Sequence, residues 1–335
     1  MCHALRTPHY ALDFPRFLDY IQPQSCASRK RDNPVTPFLG ELAALGTSLC
    51  WSATATFFTL AGQKVGSMVV NRSRLLLAIL FLLTTHWLLQ GTLLPLAAGW
   101  ERWSWLALSG IIGLVVADGF LFQAYVSIGP RLGSLLMSLS PVVSAVLAWL
   151  VLGENLSLGQ MAGIALAIGG VMWVILDRNG LVRASPDRRR YLWGVLFGLG
   201  AATGQAVGLI LAKKGLAGDF PALSGNVIRM LAAGTTLWAV TFFQRQAGET
   251  VQRLLRERRA ILNIIGGAFF GPFLGVWLSL IAIQLTHIGV ASTLMALPPI
   301  FLLPISYFVF KERLGWSAII GTIAAMVGVA ILFWV

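Results

Sequence analysis

The feature that most constrains this chain is a run of 51 residues, from Ala260 to Phe310, without one Asp, Glu, Lys or Arg. Six further windows are also free of formal charge: Leu42–Gln63, Leu75–Trp100, Leu132–Gly153, Asn155–Leu176, Tyr191–Ala212 and Leu314–Val335. Each reaches the ~20 residues that a helix needs to cross about 30 Å of hydrocarbon. Backbone groups in lipid must be paired internally, so only helices and closed barrels span a bilayer. A barrel would show ~10-residue alternating segments, and these runs are continuous. The run from 260 to 310 is too long for one helix, and the Thr286-His287-Ile288-Gly289 break divides it in two. Two more runs carry polar residues inside: Trp103–Ile128 holds Asp118, and Pro221–Gln244 holds Asn226 and Arg229. The resulting ten spans lie at about 38–60, 67–90, 103–128, 132–153, 158–176, 191–213, 221–244, 261–285, 290–310 and 315–335.

Composition closes off other classes. Of 335 residues, 57% are hydrophobic and 11% charged, where a soluble domain has roughly a quarter of its residues charged. That excludes a water-soluble enzyme and a disordered chain. The net charge of +12 does not point to nucleic acid, because the basic residues fall mostly in short gaps between apolar runs, as the positive-inside rule expects. Cys2 and Cys26 lie near the N-terminus and Cys50 stands alone in an apolar run, which gives no disulfide framework or metal spacing. His86 and His287 lie far apart near span ends, so neither a metal site nor a cofactor is expected. No His-Glu-x-x-His, phosphate loop or nucleophile elbow is present, and ATP is not expected to drive any process from this chain. Residues 1–36, with the Arg29-Lys30-Arg31 cluster and no apolar h-region, read as a polar, disordered tail rather than a signal peptide.

Two stretches align with a constant shift of 158 residues. Ser134–Asp177 and Ser292–Val335 are identical at 12 of 44 positions, among them Pro141/Pro299, Glu154/Glu312, Gly163/Gly321 and Gly170/Gly328. Apolar composition explains shared leucines but not a shared proline, glutamate and glycines in one register. Upstream, Asn71-x-x-Arg74 recurs as Asn226-x-x-Arg229, and Gly46 and Trp51 align with Gly200 and Gln205. Five spans per repeat force the halves into opposite orientations, the inverted-repeat design of many secondary transporters. The organisation is thus a tail at 1–36, a first five-helix repeat at 38–177, an Arg-rich linker at 178–190 and a second repeat at 191–335.

With these motifs the chain resembles the EamA-type members of the drug/metabolite transporter superfamily over about residues 38–335. The resemblance is carried by Leu136-Met-Ser-Leu-Ser-Pro141 through Leu152-Gly-Glu154, by its second copy Leu294-Met-Ala-Leu-Pro-Pro299 through Glu312, and by Trp51 in the first span. The second copy departs where Lys311 replaces the glycine before the glutamate. The resemblance implies ten helices, a central cavity, and export or exchange of small metabolites across the cell membrane.

Candidate pathway residues are the polar groups inside spans. An Arg at depth costs at least ~2.5 kcal/mol and usually faces a cavity or a partner. Arg74 and Arg229 each form an i, i+3 pair, with Asn71 and Asn226. Inversion of the repeats predicts that the two pairs lie near opposite membrane surfaces; the alternative is that both arginines snorkel to headgroups. Asp118 is the one carboxylate near mid-span, suited to bind a cation, carry a proton, or neutralise Arg74. Gln123, Gln205 and Gln284 should face the interior, and Trp51 is a cavity wall or ordinary packing. Pro141, Pro272, Pro299 and Pro304 free backbone carbonyls and can hinge their spans. Glu154 and Glu312 read as markers of turns at the water interface. Gly267-xxx-Gly271-xxx-Gly275 and Gly200-xxx-Gly204 are close-packing faces.

The expected function is secondary-active transport of a small metabolite by alternating access of the two repeats, with membrane lipids and the substrate as partners and homodimerisation left open. A membrane-embedded enzyme is the alternative, and it would need a cluster of acids or histidines at one face. Counting basic residues places the loops 177–190 and 245–260 in the cytoplasm and the termini outside.

Overall fold

The computed structural model describes residues 36–152, 157–176, 188–217, 220–285, 288–312 and 315–334. Among these residues the chain is helical throughout its spans and has no strand. The tail expected at 1–36 falls almost wholly outside the described residues, as do Glu154, His287 and most of the Arg-rich linker.

The first repeat contains α1 (Thr36–Val65), α2 (Ser67–Gln90), α3 (Trp100–Met137), α4 (Ser140–Leu152) and α5 (Leu158–Leu176). The second contains α6 (Arg188–Gly215), α7 (Ala222–Phe243), a short connecting helix α8 (Ala247–Arg256), α9 (258–285), α10 (Ile288–Met295), α11 (Pro298–Phe308) and α12 (Trp316–Trp334). Helix therefore occupies each of the ten expected spans. Among the described residues, seven stretches are long and apolar enough to cross a membrane, and Thr293–Phe308 is a shorter apolar one. Large apolar side chains such as Leu80, Leu88, Trp173 and Leu196 face outward, as lipid contact requires.

Spans 4 and 9 differ from the unbroken helices predicted. Span 3 runs through Gly129, at φ 84°, and Pro130 into a short helical segment that ends at Met137; Ser138 and Leu139 interrupt the helix, and α4 begins at Ser140. Positive φ is what only glycine adopts without strain, so Gly129 is where the chain reverses. In the second repeat α10 ends at Met295, Ala296 and Leu297 interrupt, and α11 begins at Pro298. Both interruptions obey the shift of 158. In the second repeat Pro298 contributes, since a helix would bond the N–H of residue 298 to Leu294 O and proline has no N–H; the matched residue of the first repeat is Ser140. Leu294 O instead accepts from Leu297 N–H at 3.4 Å and from Ser48 Oγ of α1 at 2.5 Å, and Ser52 Oγ lies 3.4 Å from Pro298 O. Pro141 and Pro299 therefore each stand second in a half-helix instead of bending a continuous span.

A second irregularity repeats as well. Wide π turns replace α geometry at Ile111–Ala117 in α3 and at Phe269–Gly275 in α9, again 158 residues apart. Such turns leave carbonyls out of register and concentrate at functional sites.

The repeats interlock through their first and third spans. Helix α1 packs on α9 and α6 packs on α3. A Cβ on Gly271 would stand 2.8 Å from Thr54 Oγ1 and one on Gly208 would stand 3.1 Å from Gly113 Cα, which are matched positions of the two repeats. The predicted glycine face on α9 is thus real, with Gly267, Gly271 and Gly275 meeting Phe58, Thr54 and Trp51 of α1. Helices α5 and α12 share an extensive contact. A Cβ on Gly163 would lie 2.8 Å from Gly328 O, and one on Gly321 would lie 2.9 Å from Gly170 O. Two pairs of glycines in one repeat register make this contact.

Candidate functional site

The π turn of α3 gathers the buried charge. Arg74, on α2, is 4% exposed and Asp118, at the end of the π turn, is 8% exposed. Arg74 Nη2 donates to Asp118 Oδ2 and, at 3.2 Å, to Leu114 O. Its Nε donates to Asn71 Oδ1 at 3.0 Å, the i, i+3 contact predicted for this pair. Asn71 Nδ2 then lies 3.4 Å from Leu114 O and 3.3 Å from Val115 O. These are carbonyls of the π turn, and Val115 O also accepts from the Asp118 backbone N–H. The Arg74 guanidinium also stands over the Phe122 ring, 4.9 Å from its centroid. Of the roles open to Asp118, pairing with Arg74 is the one the geometry displays.

Arg229 reaches the same turn. A Cβ on Gly113 would lie 3.4 Å from Arg229 Nη2 and 3.1 Å from Gln205 Oε1, and Arg229 is within electrostatic reach of Asp118. The expectation that the two arginines lie near opposite membrane surfaces is therefore overturned. Each sits about two turns into its span, and the span interlock brings α7 against the π turn of α3. The two sets of groups are unequally satisfied. On the Arg229 side, Arg229 Nε, Asn226 Nδ2 and Gln205 Oε1 are buried without a hydrogen-bond partner. Leaving a buried polar group unpaired costs about 1–3 kcal/mol.

Other candidates lie elsewhere. Trp51 packs against Gly275 at the end of the α9 π turn, in an apolar cluster with Ala43, Ala282 and Met295. Its aligned partner Gln205 meets the π turn of α3 at Gly113, so the two positions face the matched turns of opposite repeats. Gln123 accepts from Ser67 Oγ at 2.6 Å and lines a separate cavity of about 400 Å³ with Arg72. Pro272 is buried within the second π turn, whereas Pro304 lies inside α11 and is exposed. The side chain of Gln284 lies outside the described residues.

Two arginines that the sequence reading passed over, and His86, which it placed near a span end, are buried and bonded. Arg72 Nη1 donates to Thr250 Oγ1 at 2.9 Å and its Nη2 to Gln246 Oε1 at 2.5 Å. His86 is fully buried between Thr92 O (2.5 Å) and Ser224 Oγ (3.0 Å). Arg131, 2% exposed, donates from Nε to Glu312 Oε2 at 3.2 Å. Glu312 is thus not a simple marker of a turn at the water interface. It binds the end of span 9 to the reversal between spans 3 and 4, and a Cβ on Gly129 would stand 2.8 Å from its Oε1. Arg72 stands near the start of span 2 and Arg131 in the gap between spans 3 and 4, and neither recurs: their repeat partners are Val227 and Gly289. Among the described residues there is no group of three or more His, Cys, Asp or Glu suited to hold a metal.

Comparison with known proteins agrees with this architecture. The EamA-like transporter family matches residues 38–176 and 192–334, close to the two repeats. The uncharacterized inner membrane transporter YhbE of Escherichia coli K12 is 27% identical over 167 residues, which are 49% of this chain and 51% of YhbE. The WAT1-related protein At3g02690, chloroplastic, of Arabidopsis thaliana is 21% identical over 239 residues, 70% of this chain and 56% of its own. This chain therefore spans about half the length of these curated relatives. One crystal structure superposes with a TM-score of 0.60 at 16% identity, covering 87% of this chain and 95% of the other, which shows a shared fold. With both repeats matched, the chain is a multi-pass membrane protein that belongs to the EamA-like transporter family.

Proposed function

We propose that the protein is a secondary-active transporter that moves a small anionic or zwitterionic metabolite across the inner or plasma membrane. The observation that carries this reading is the buried set at the α3 π turn. Arg74 is neutralised by Asp118, while Arg229, Asn226 and Gln205 keep buried groups without partners. A carboxylate or similar anion would accept from Arg229 Nε and Asn226 Nδ2, and an amino group would donate to Gln205 Oε1. Charge-assisted hydrogen bonds of this kind are about twice as strong as neutral ones. Asp118 would hold the balance between the two guanidinium groups, so its protonation or the arrival of an anion would redistribute them.

The motion this reading requires is rocking of one repeat against the other. The paired breaks in spans 4 and 9 and the paired π turns supply places where helix geometry can change in both halves. Counterflow tests the proposal. The purified chain in vesicles preloaded with single amino acids or organic acids should accumulate the labelled form of an accepted compound. Arg229→Gln should lose that accumulation while inserting normally. Unaltered counterflow in Arg229→Gln, with a substrate that wild type carries, would remove Arg229 from the pathway.

A further inference from the structure

Away from the charge cluster, the turn between α1 and α2 opens onto the cavity of about 400 Å³, which lies between the start of α2, α3 and α8. Three features of its wall favour an anion. First, α2 begins at Gly66 without a side-chain cap, and Gly66, Ser67, Met68 and Val69 all line the cavity. The first N–H groups of a helix have no intrahelical acceptor and together form an anion site. Second, Arg72 lines the same wall at 5% exposure. Its two terminal nitrogens hold Thr250 and Gln246, while its Nε is buried without a partner. Third, Arg253 of α8 faces Gly66, where a Cβ would lie 3.7 Å from its Nη1. Glu249 opposes this charge and pairs with Arg253 at 2.6 Å, which leaves two guanidinium groups to one carboxylate.

We propose that this cavity binds a phosphate-bearing anion, supplied either by a lipid headgroup or as free phosphate. The charges of Arg72 and Arg253 and a helix N-terminus suit the oxygens of a phosphate, and the cavity is larger than inorganic phosphate needs. The surroundings place it at a membrane surface. Helix α8 exposes Val251 and Leu255 and carries Arg253 and Arg256 in its last turn, with Arg258 and Arg259 following. That pattern is typical of a helix lying in the headgroup layer. An occupant would bridge α2 of the first repeat and α8 of the second.

The test uses the full chain in maltoside-detergent micelles free of phospholipid and follows its melting temperature. One arm titrates inorganic phosphate and the other phosphatidylglycerol, each against sodium chloride at equal ionic strength. A saturable rise in Tm in either arm supports the site, and the arm that responds identifies the source. Arg253→Gln should weaken the response about tenfold, the loss expected for one charged hydrogen bond. Arg72→Gln should abolish it, but that variant also frees α8 and can fail to fold. Arg253 is 53% exposed, so its substitution leaves the fold intact and keeps the test decisive. No rise in either arm, a rise that chloride reproduces, or an undiminished response in Arg253→Gln would overturn the proposal.

Discussion

The two copies of Asn-x-x-Arg begin as the same motif and end in different chemistry. In the first repeat every group of Asn71 and Arg74 that is described by a contact finds a partner: Asp118, the carbonyls of Leu114 and Val115, and each other. In the second repeat Asn226 and Arg229 keep buried donors unpaired. One position explains much of the difference. Asp118 follows the first π turn, and the residue after the second π turn is Val276. Duplication supplied two equivalent scaffolds, and a single carboxylate made one of them a closed ion pair. A structurally symmetric frame can therefore carry an asymmetric site, as binding one polar substrate requires.

The largest expected effect comes from removing that carboxylate. Asp118→Asn leaves Arg74 buried beside a neutral amide, and breaking one partner of a buried pair costs about 3–5 kcal/mol. The melting temperature should fall sharply and transport should vanish. Arg74→Gln combined with Asp118→Asn removes both charges and should recover most of the stability. Transport measured in this double variant then decides the matter. Recovery of transport with stability would make the pair purely structural, and loss despite stability would assign it to the pathway.

Next in size is the contrast between the arginines. Arg229→Gln should change Tm little, because the side chain leaves its own Nε unpaired. It should raise KM about tenfold or more, the effect of losing one charged hydrogen bond to substrate. Arg74→Gln should lower Tm instead, since it strands Asp118. Equal stability losses in both variants would erase the distinction drawn between the repeats.

A smaller effect separates the two π turns. Gly113→Ala presses on Gln205 and Arg229, whereas Gly271→Ala presses on Thr54 at 2.8 Å. The first should raise KM about threefold at nearly constant Tm. The second should cost about 1–3 kcal/mol of stability through overpacking, with KM unchanged. Transport assays and melting curves on both variants would show whether the turns have diverged in role.

Much of this frame was legible in the sequence because lipid imposes a one-dimensional rule. Charge-free windows mark helices, and a shared Pro141/Pro299 and Gly170/Gly328 mark the repeat. The reach of Arg74 to Asn71 followed from helical spacing alone. Three things were hidden. The π turns leave no compositional trace, since Ile-Ile-Gly-Leu-Val-Val-Ala reads as ordinary apolar helix. The convergence of Arg74 and Arg229 depends on α1 and α6 crossing into the opposite repeat, a tertiary fact. Arg72 and Arg131 were passed over because they stand near a span start and in a gap between spans, and their partners Gln246, Thr250 and Glu312 lie more than 170 positions away. Contacts between the repeats that have no matched counterpart become visible only in the fold.

Arg131 and Glu312 give that lesson its last test. The first repeat supplies the cation and the second the acid, and Gly289 stands where a second arginine would be. Burial pushes the Glu312 carboxyl above the usual carboxylate range, with the Arg131 charge and the hydrogen bond from Arg131 opposing the shift. The sign follows directly: the folded protein holds the Glu312 proton more tightly than the unfolded chain does. Its contribution to stability is then fullest in acid and is lost as pH rises through the folded pKa. Melting curves of wild type should therefore lose Tm over that interval, just above the ordinary carboxylate range. Glu312→Gln, which cannot titrate, should show a flatter profile there, at a cost of Tm from leaving Arg131 without its charge partner. Arg131→Gln removes the group that holds Glu312 ionised, so the decline should move to higher pH. A wild-type profile as flat as that of Glu312→Gln would mean that the carboxyl titrates alike in both states, and the contact would then be an ordinary interfacial pair.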